Sequence, residues 1–368
     1  MAVRMKRRDF LQRSAEALAA SLAVSAWVES LHRNARAATQ QDRVLVLLEL
    51  RGGNDGLNTV IPYRDPAYRQ ARPTIAIADG PALDRHLILH PALAPLQPIW
   101  EARRLAVALG VGWPQPSRSH FKATDQWATG TTGGSGPGWL AAGLDRRRAR
   151  GPLVSLGPTG SSALEGGAAV ALQMAPALLK GRLSPRLDPA QAGDNTLLRR
   201  MLKLEADGRR ELIRLRQALR PLPRGLVLPQ GGLGQQVGLA LQLIGSGAAP
   251  PVIQMAQGGY DTHAGQEQRH RRQLAELAGV LASFERGLEM LPGRPRVTLL
   301  TTSEFGRRLR ENESRGTDHG SASMALLMGD GVPHPFLGDY PELNKLDERG
   351  DLLPGLTPRQ LYEEFLSR

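Results

Sequence analysis

Short apolar runs bounded by turn residues recur along this 368-residue chain and alternate with longer stretches of helical spacing. The runs are Val44–Leu50, Leu105–Leu109, Leu153–Leu156, Val252–Ala256, Val297–Thr301 and Met324–Met328. They are too short for helices and nearly all apolar, the pattern of strands buried on both faces. Helical periodicity covers Ala92–Arg103, Trp139–Ala149, Thr196–Leu219, Gln235–Ile244, Gln266–Leu291 and Pro358–Leu366, the last with proline at its start. The alternation predicts an α/β fold with a mostly parallel sheet sandwiched between helices. Gly-, Pro- and Ser-rich stretches at 129–138, 157–167 and 221–234 read as loops. No internal repeat is visible, which argues against a solenoid.

The N-terminal residues follow another pattern. Arg4-Met5-Lys6-Arg7-Arg8-Asp9-Phe10-Leu11 precedes a mildly apolar segment, Ala17–Val28, and a small-residue exit, Ala35-Arg36-Ala37-Ala38. This resembles a twin-arginine export signal cleaved near Ala37. The organisation expected is a signal peptide over 1–37 and one α/β domain over 38–368, carried by the twin-arginine translocase to the periplasm or beyond. The apolar segment has 12 residues, against the about 20 that a bilayer requires, so no membrane span is expected in the mature chain.

The formal charge is +12, and loss of residues 1–37 leaves +8. A basic surface favours anionic partners such as phosphate-bearing ligands or envelope polymers. The densest basic part, Arg199–Arg220, interleaves its arginines with Leu198, Met201, Leu202, Leu212, Leu215 and Leu219 at helical spacing. That is a solvated helix face, and with aromatics at 4% there is little to stack on bases, so nucleic acid is not an expected partner. The chain has no cysteine. Disulfides, thiolate nucleophiles and cysteine-based metal sites are thereby excluded.

With only eight histidines, the placement of two acid–imidazole pairs is informative. Asp261-Thr262-His263 follows one apolar run and Asp318-His319 precedes another. Spacing of two puts Asp261 and His263 on one side of an extended segment. Asp318 and His319 would point apart in a strand, but flanking Gly316 and Gly320 permit an irregular turn. Asp55 lies in the Gly-rich turn Arg51-Gly52-Gly53-Asn54-Asp55-Gly56 after the first run, and Ser119 lies in Pro116-Ser117-Arg118-Ser119-His120-Phe121. Mixed carboxylate and imidazole ligation suits a divalent metal, zinc or manganese rather than calcium or magnesium. The candidate ligands are Asp55, Asp261, His263, Asp318 and His319. Ser119 is the candidate nucleophile, with Asn54 or Arg118 stabilising the substrate anion. Taken singly, the glycines can serve a tight turn, Asp55 a cap, and Ser119 a helix cap before Phe121–Thr129. His90, before Pro91, reads as a helix entrance, and His86 and His270 carry no signal of their own. Glu304, in Thr302-Ser303-Glu304-Phe305-Gly306-Arg307, is open as ligand, base or partner of a nearby arginine. Complete G-x-S-x-G, Walker A, G-x-G-x-x-G and H-E-x-x-H motifs are absent.

At these residues the chain resembles the bacterial family called domain of unknown function 1501, exported proteins related in fold to the alkaline phosphatase and sulfatase superfamily. The segments that carry the resemblance run in the family's order from Val44 to Pro341. They are Leu50–Tyr63, Arg118-Ser119-His120-Phe121, Gly258–Gln266, Ser303-Glu304-Phe305-Gly306-Arg307 and Gly316-Thr317-Asp318-His319-Gly320. The resemblance implies an alkaline-phosphatase-like sheet with metal ligands at the strand ends. It makes Asp55 the first-strand ligand, Ser119 the nucleophile, Asp261 with His263 one ligand pair and Asp318 with His319 the other. Other members of that superfamily carry a further histidine after the Asp-His pair. Here His334, in Gly331-Val332-Pro333-His334-Pro335, is what stands in that place, and the Asp261 to His263 spacing is tighter.

The function expected is an exported, metal-dependent hydrolase of phosphate or sulfate esters, acting on an anionic ester or glycan of the cell envelope. The rival from another class is a non-catalytic secreted binding or assembly protein that uses the same scaffold to hold anionic glycans. A metal-free acyl hydrolase built on Ser119 is a third reading, separable by its indifference to chelators.

Overall fold

The first apolar run is strand β1 (Val44–Leu50), and its side chains divide strictly by period two. Val44, Val46, Leu48 and Leu50 join one core cluster, and Leu45 and Leu47 join another on the opposite face. A strand covered on both sides has no solvent face to keep polar, which is why the run is apolar but for Glu49 near its carboxyl end. The computed structural model describes residues 43–147, 151–176, 189–247 and 249–367. The export signal expected over residues 1–37 lies outside the described residues.

The further strands are β2 (Val60–Ile61), β3 (Ile88–Leu89), β4 (Leu105–Val111), β5 (Leu153–Ser155), β6 (Ala171–Gln173), β7 (Val252–Gln257), β8 (Val297–Thr302), β9 (Arg307–Glu311), β10 (Thr317–His319), β11 (Ser323–Gly329) and β12 (Phe336–Leu337). Eight of them form one sheet in the order β12-β4-β11-β8-β1-β7-β5-β6. β1 is central and pairs in parallel with β7 and β8, Leu45 opposite both Val252 and Thr298. β11 runs antiparallel to β4 and β8, and the other pairings in the sheet are parallel. β2 with β3 and β9 with β10 form two small antiparallel ribbons.

The α-helices are α1 (Pro66–Ala71), α2 (Gln97–Glu101), α3 (His120–Thr129), α4 (Trp139–Arg147), α5 (Thr196–Ala218), α6 (Gly232–Ile244), α7 (Gln266–Met290) and α8 (Pro358–Ser367). One sheet face is covered by apolar residues of α6 and α7, among them Val237, Leu241, Leu277 and Phe284. The other is covered by Trp127, Trp139, Leu140, Leu361 and Phe365 of α3, α4 and α8. Each fully buried Leu or Phe contributes roughly 1.5–3 kcal/mol, so helices cover both faces. α8 starts on a reciprocal cap, in which Gln360 N–H donates to the Thr357 hydroxyl and Thr357 N–H donates to Gln360 Oε1. The helix expected over Ala92–Arg103 is divided: a 3-10 turn covers Pro91–Leu96 before α2 begins. Pro95 lacks the N–H that a continuous helix needs, whereas Pro98 sits in the first turn of α2, where none is required. No helix among the described residues is long and apolar enough to cross a membrane.

Parallel strands deliver their following loops to one edge. Residues 51–56 after β1, 112–119 after β4, 258–265 after β7 and 303–306 after β8 all leave the carboxyl edge, where ligand crevices form in open α/β sheets.

Candidate metal centre

Three loops meet at this edge around one buried guanidinium. Arg307 Nε donates to Gly53 O at 2.7 Å, Nη1 to Thr317 O at 2.7 Å, and Nη2 to Gly52 O, to Tyr260 O at 3.1 Å and to Asp261 Oδ1 at 2.8 Å. The Gly-rich turn, the β7 loop and β10 are thus tied to the start of β9. Two glycines allow the approach. Gly52 has φ +116° and its Cα faces the Asp261 backbone, while a Cβ on Gly316 would strike the His263 carbonyl.

Above Arg307 the segment after β7 alternates as its spacing predicts. Thr262 points inward and is buried, donating to Gln266 Oε1 at 3.0 Å, while Asp261 and His263 turn outward. β10 supplies the complement, with Thr317 donating inward to the same Gln266 oxygen at 2.6 Å and His319 facing the β7 loop. His319 Nε2 lies 3.2 Å from Asp261 Oδ1 and 2.9 Å from His263 Nε2, and His263 Nε2 lies 3.1 Å from Asp261 Oδ1. A third imidazole arrives from the first residue of α3: His120 Nε2 is 3.6 Å from Asp261 Oδ2.

The remaining ring nitrogens decide what these imidazoles can do. His120 Nδ1 is 3.0 Å from Glu304 Oε1, and His319 Nδ1 is 2.9 Å from the Arg118 carbonyl. Both partners only accept, so each Nδ1 carries the hydrogen and each ring turns its Nε2 toward Asp261, where that nitrogen can serve an ion. An imidazole whose far nitrogen is held by a carboxylate or carbonyl is the usual arrangement of a metal-ligating histidine. One ligand atom each from His120, Asp261 and His319 lies within 4.8 Å of the others. Two nitrogens and one carboxylate oxygen fit zinc or manganese better than ions that demand all-oxygen shells. Aromatic packing fixes the rings: Phe305 lies 4.2 Å from His319 and 5.1 Å from His120 between ring centres.

Electrostatics keep the acids charged. Burial, the largest single influence on Asp261, acts to raise its pKa. The hydrogen bond and charge of Arg307, together with the adjoining His319 and His263 rings, outweigh it and hold the carboxyl below its usual range. Asp318 is lowered first by the hydrogen bond from Asn312, 3.1 Å from its Oδ1. Burial lowers the His319 pKa and favours the neutral ring.

The other residues expected at the site lie differently. Asp318 points away from the centre, with Oδ1 3.4 Å from His263 Nδ1, so it backs His263. Ser119 is exposed immediately before α3, makes no side-chain cap, and stands between the Arg118 carbonyl that holds His319 and the His120 ring. The Arg118 guanidinium is turned to the buried Asp351 at 2.9 Å. Asp55 is not among the converging groups. It is fully buried and accepts from Arg72 at 2.6 and 3.1 Å, from Leu57 and Asn58 N–H groups, and from Gln266 Nε2. Burial pushes its pKa up, but the charge and hydrogen bonds of Arg72 carry the balance and hold it low. Asn54 is also sealed in the core, its amide bonded to Thr59 and its carbonyl oxygen 2.9 Å from His270 Nε2. His334 sits at the opposite edge, 2.8 Å from the Leu105 carbonyl and against Trp100. The third imidazole comes from His120, which sequence reasoning left without a role. Its signal was its place in the Arg118–Phe121 motif. Arg307, likewise missed, gives no sign in sequence that one side chain gathers three loops.

The chain belongs to the family described as Protein of unknown function (DUF1501), whose model matches residues 108–349. Those residues include His120, Asp261, Glu304 and His319 and exclude the Gly-rich turn after β1. No curated protein matches the sequence significantly. Among solved structures, the chain is similar to the C-terminal periplasmic domain of EcEptC from Escherichia coli in complex with Zn, at 9% identity over 89% of this chain and 82% of that one, with a TM-score of 0.41.

Proposed function

We propose that this chain is an exported metal-dependent hydrolase of phosphate or sulfate esters, with a divalent cation, zinc or manganese, held by His120, Asp261 and His319. The observation that carries the reading is the pair of imidazoles whose Nδ1 atoms are bound from behind and whose Nε2 atoms face one carboxylate. His263 completes the set, and Asp318 and Glu304 orient the rings from outside. When bound, the cation supplies the positive charge that stabilises negative charge developing on ester oxygens.

The chain's own residues supply the remaining parts. Ser119 carries a hydroxyl without a hydrogen-bond partner among the described residues, beside two of the proposed ligand segments, and is assigned as the nucleophile. It precedes the first turn of α3, whose N–H groups and dipole favour an anionic group there. Glu304 accepts from both Gly52 N–H at 2.7 Å and His120, and so couples the Gly-rich turn to ring orientation. The test is turnover of aryl phosphate, aryl sulfate and a phosphodiester by the zinc- or manganese-loaded protein beside Ser119→Ala. The reading predicts that the variant retains metal and loses kcat by about three orders of magnitude or more. Stoichiometric metal with no turnover of any ester would support a non-catalytic binding protein instead, and activity that survives chelation would contradict metal dependence.

A further inference from the structure

A pocket of about 250 Å³ adjoins the candidate centre. Glu304 belongs to both, since it lines the pocket and accepts from His120. Helix α3 joins them as well. His120, Thr124, Trp127 and Ala128 follow at i, i+4, i+7 and i+8, so the helix stripe that starts at the centre continues as a wall of the pocket.

The lining has three chemical features. One is a rigid aromatic wall: Trp139 stacks on Tyr362 at 3.9 Å with 7° between planes, and Trp127 lies edge-on to Tyr362. The second is a neutralised ion pair, in which Glu49 accepts from Arg51 at 2.7 Å, from Gln254 at 3.0 Å and from the Ser161 hydroxyl. With Glu49 balanced by Arg51, this wall offers oriented polar groups and little net charge. The third is unspent hydrogen-bonding capacity. The Thr302 hydroxyl and the indole N–H groups of Trp127 and Trp139 belong to residues that are 7%, 5% and 6% exposed, and none has a partner among the described residues. Polar groups without protein partners are left to solvent or to an occupant.

We propose that the pocket receives a single uncharged sugar ring, the alcohol portion of the ester cleaved at the neighbouring centre. The pocket has room for a small ring, the edges of Trp127, Trp139 and Tyr362 offer its C–H groups apolar contact, and its hydroxyls suit Thr302, the indoles and the Glu49–Arg51 pair. The assignment of the ring as part of a cleaved ester rests on the hydrolase reading; binding of the ring does not. Methyl gluco-, galacto- and mannosides are therefore titrated into metal-free protein and followed by NMR, beside Thr302→Val, which removes one polar group while keeping shape, and Trp127→Phe, which removes the indole N–H together with part of the ring system. At least one hexoside is expected to bind, with Kd weakened about three- to tenfold in each variant and zinc binding unchanged. In the zinc-loaded enzyme, Thr302→Val is expected to raise KM for the matching hexose phosphate by a similar factor and leave methyl phosphate untouched. Hydrolysis of methyl phosphate with no hexoside binding, or binding indifferent to both variants, overturns the sugar pocket and leaves the hydrolase reading intact. Hexoside binding sensitive to the variants but without ester turnover does the reverse.

Discussion

Asp55 and Asp261 follow neighbouring strands of the same sheet, β1 and β7, and both are held below the usual carboxylate pKa. Their surroundings differ in kind. Asp55 is sealed at 0% exposure with donors on both oxygens, whereas the Asp261 side chain is 44% exposed and faces imidazole nitrogens. A carboxylate saturated by Arg72, Gln266 and two backbone N–H groups has no lone pair to offer an ion. One that shares a single guanidinium contact and faces imidazole nitrogens still has oxygen lone pairs to offer an ion. The difference separates a stability element from a site, although both acids look alike in the sequence.

The largest effect should come from the sealed acid. Asp55→Ala leaves Arg72 charged and buried, and chemical denaturation should show a loss of about 3–5 kcal/mol; a change under about 1 kcal/mol would erase the contrast. Asp261→Ala should do the opposite, keeping stability within about 1 kcal/mol because Arg307 retains four carbonyl acceptors. Zinc affinity by calorimetry should fall at least about a hundredfold in that variant.

Acid should also distinguish the regions. His270 has its pKa lowered to about 3, first by burial, with the Asp55 charge opposing and His90, Arg72 and Arg307 adding to the lowering. His90 is lowered to about 4, first by burial and then by Arg271. Both rings stay neutral in the fold while the unfolded chain takes protons near 6.5, so their contribution is whole above that pH and declines toward pH 4. The melting temperature should fall over that window, and His270→Gln should flatten the fall. The smallest effect belongs to Glu304→Gln, which keeps an acceptor for Gly52 and His120 but removes its charge; zinc affinity should drop about tenfold with the fold unchanged.

Much of this arrangement was legible from local pattern. The Val44–Leu50 run became the central strand because a doubly covered strand must be largely apolar, and the spacing of Asp261 and His263 put both on one side because Thr262 is drawn inward by Gln266. Asp55 was legible as a cap, since its carboxylate accepts from Leu57 and Asn58 N–H, but its sealing was not. Its partner Arg72 ends a short helix without any motif, and only the fold brings that guanidinium under the turn. The helix over Ala92–Arg103 failed for a local reason that the prolines had already spelled out. His120 was visible as a histidine but not as a ligand, since its role depends on Glu304, 184 positions away in sequence.

Zinc titration of the wild type beside His120→Ala tests the central claim most directly. The wild type should bind about one zinc ion tightly per chain and the variant should lose that site, with circular dichroism unchanged. Equal zinc binding by both proteins, or none by the wild type, would contradict it.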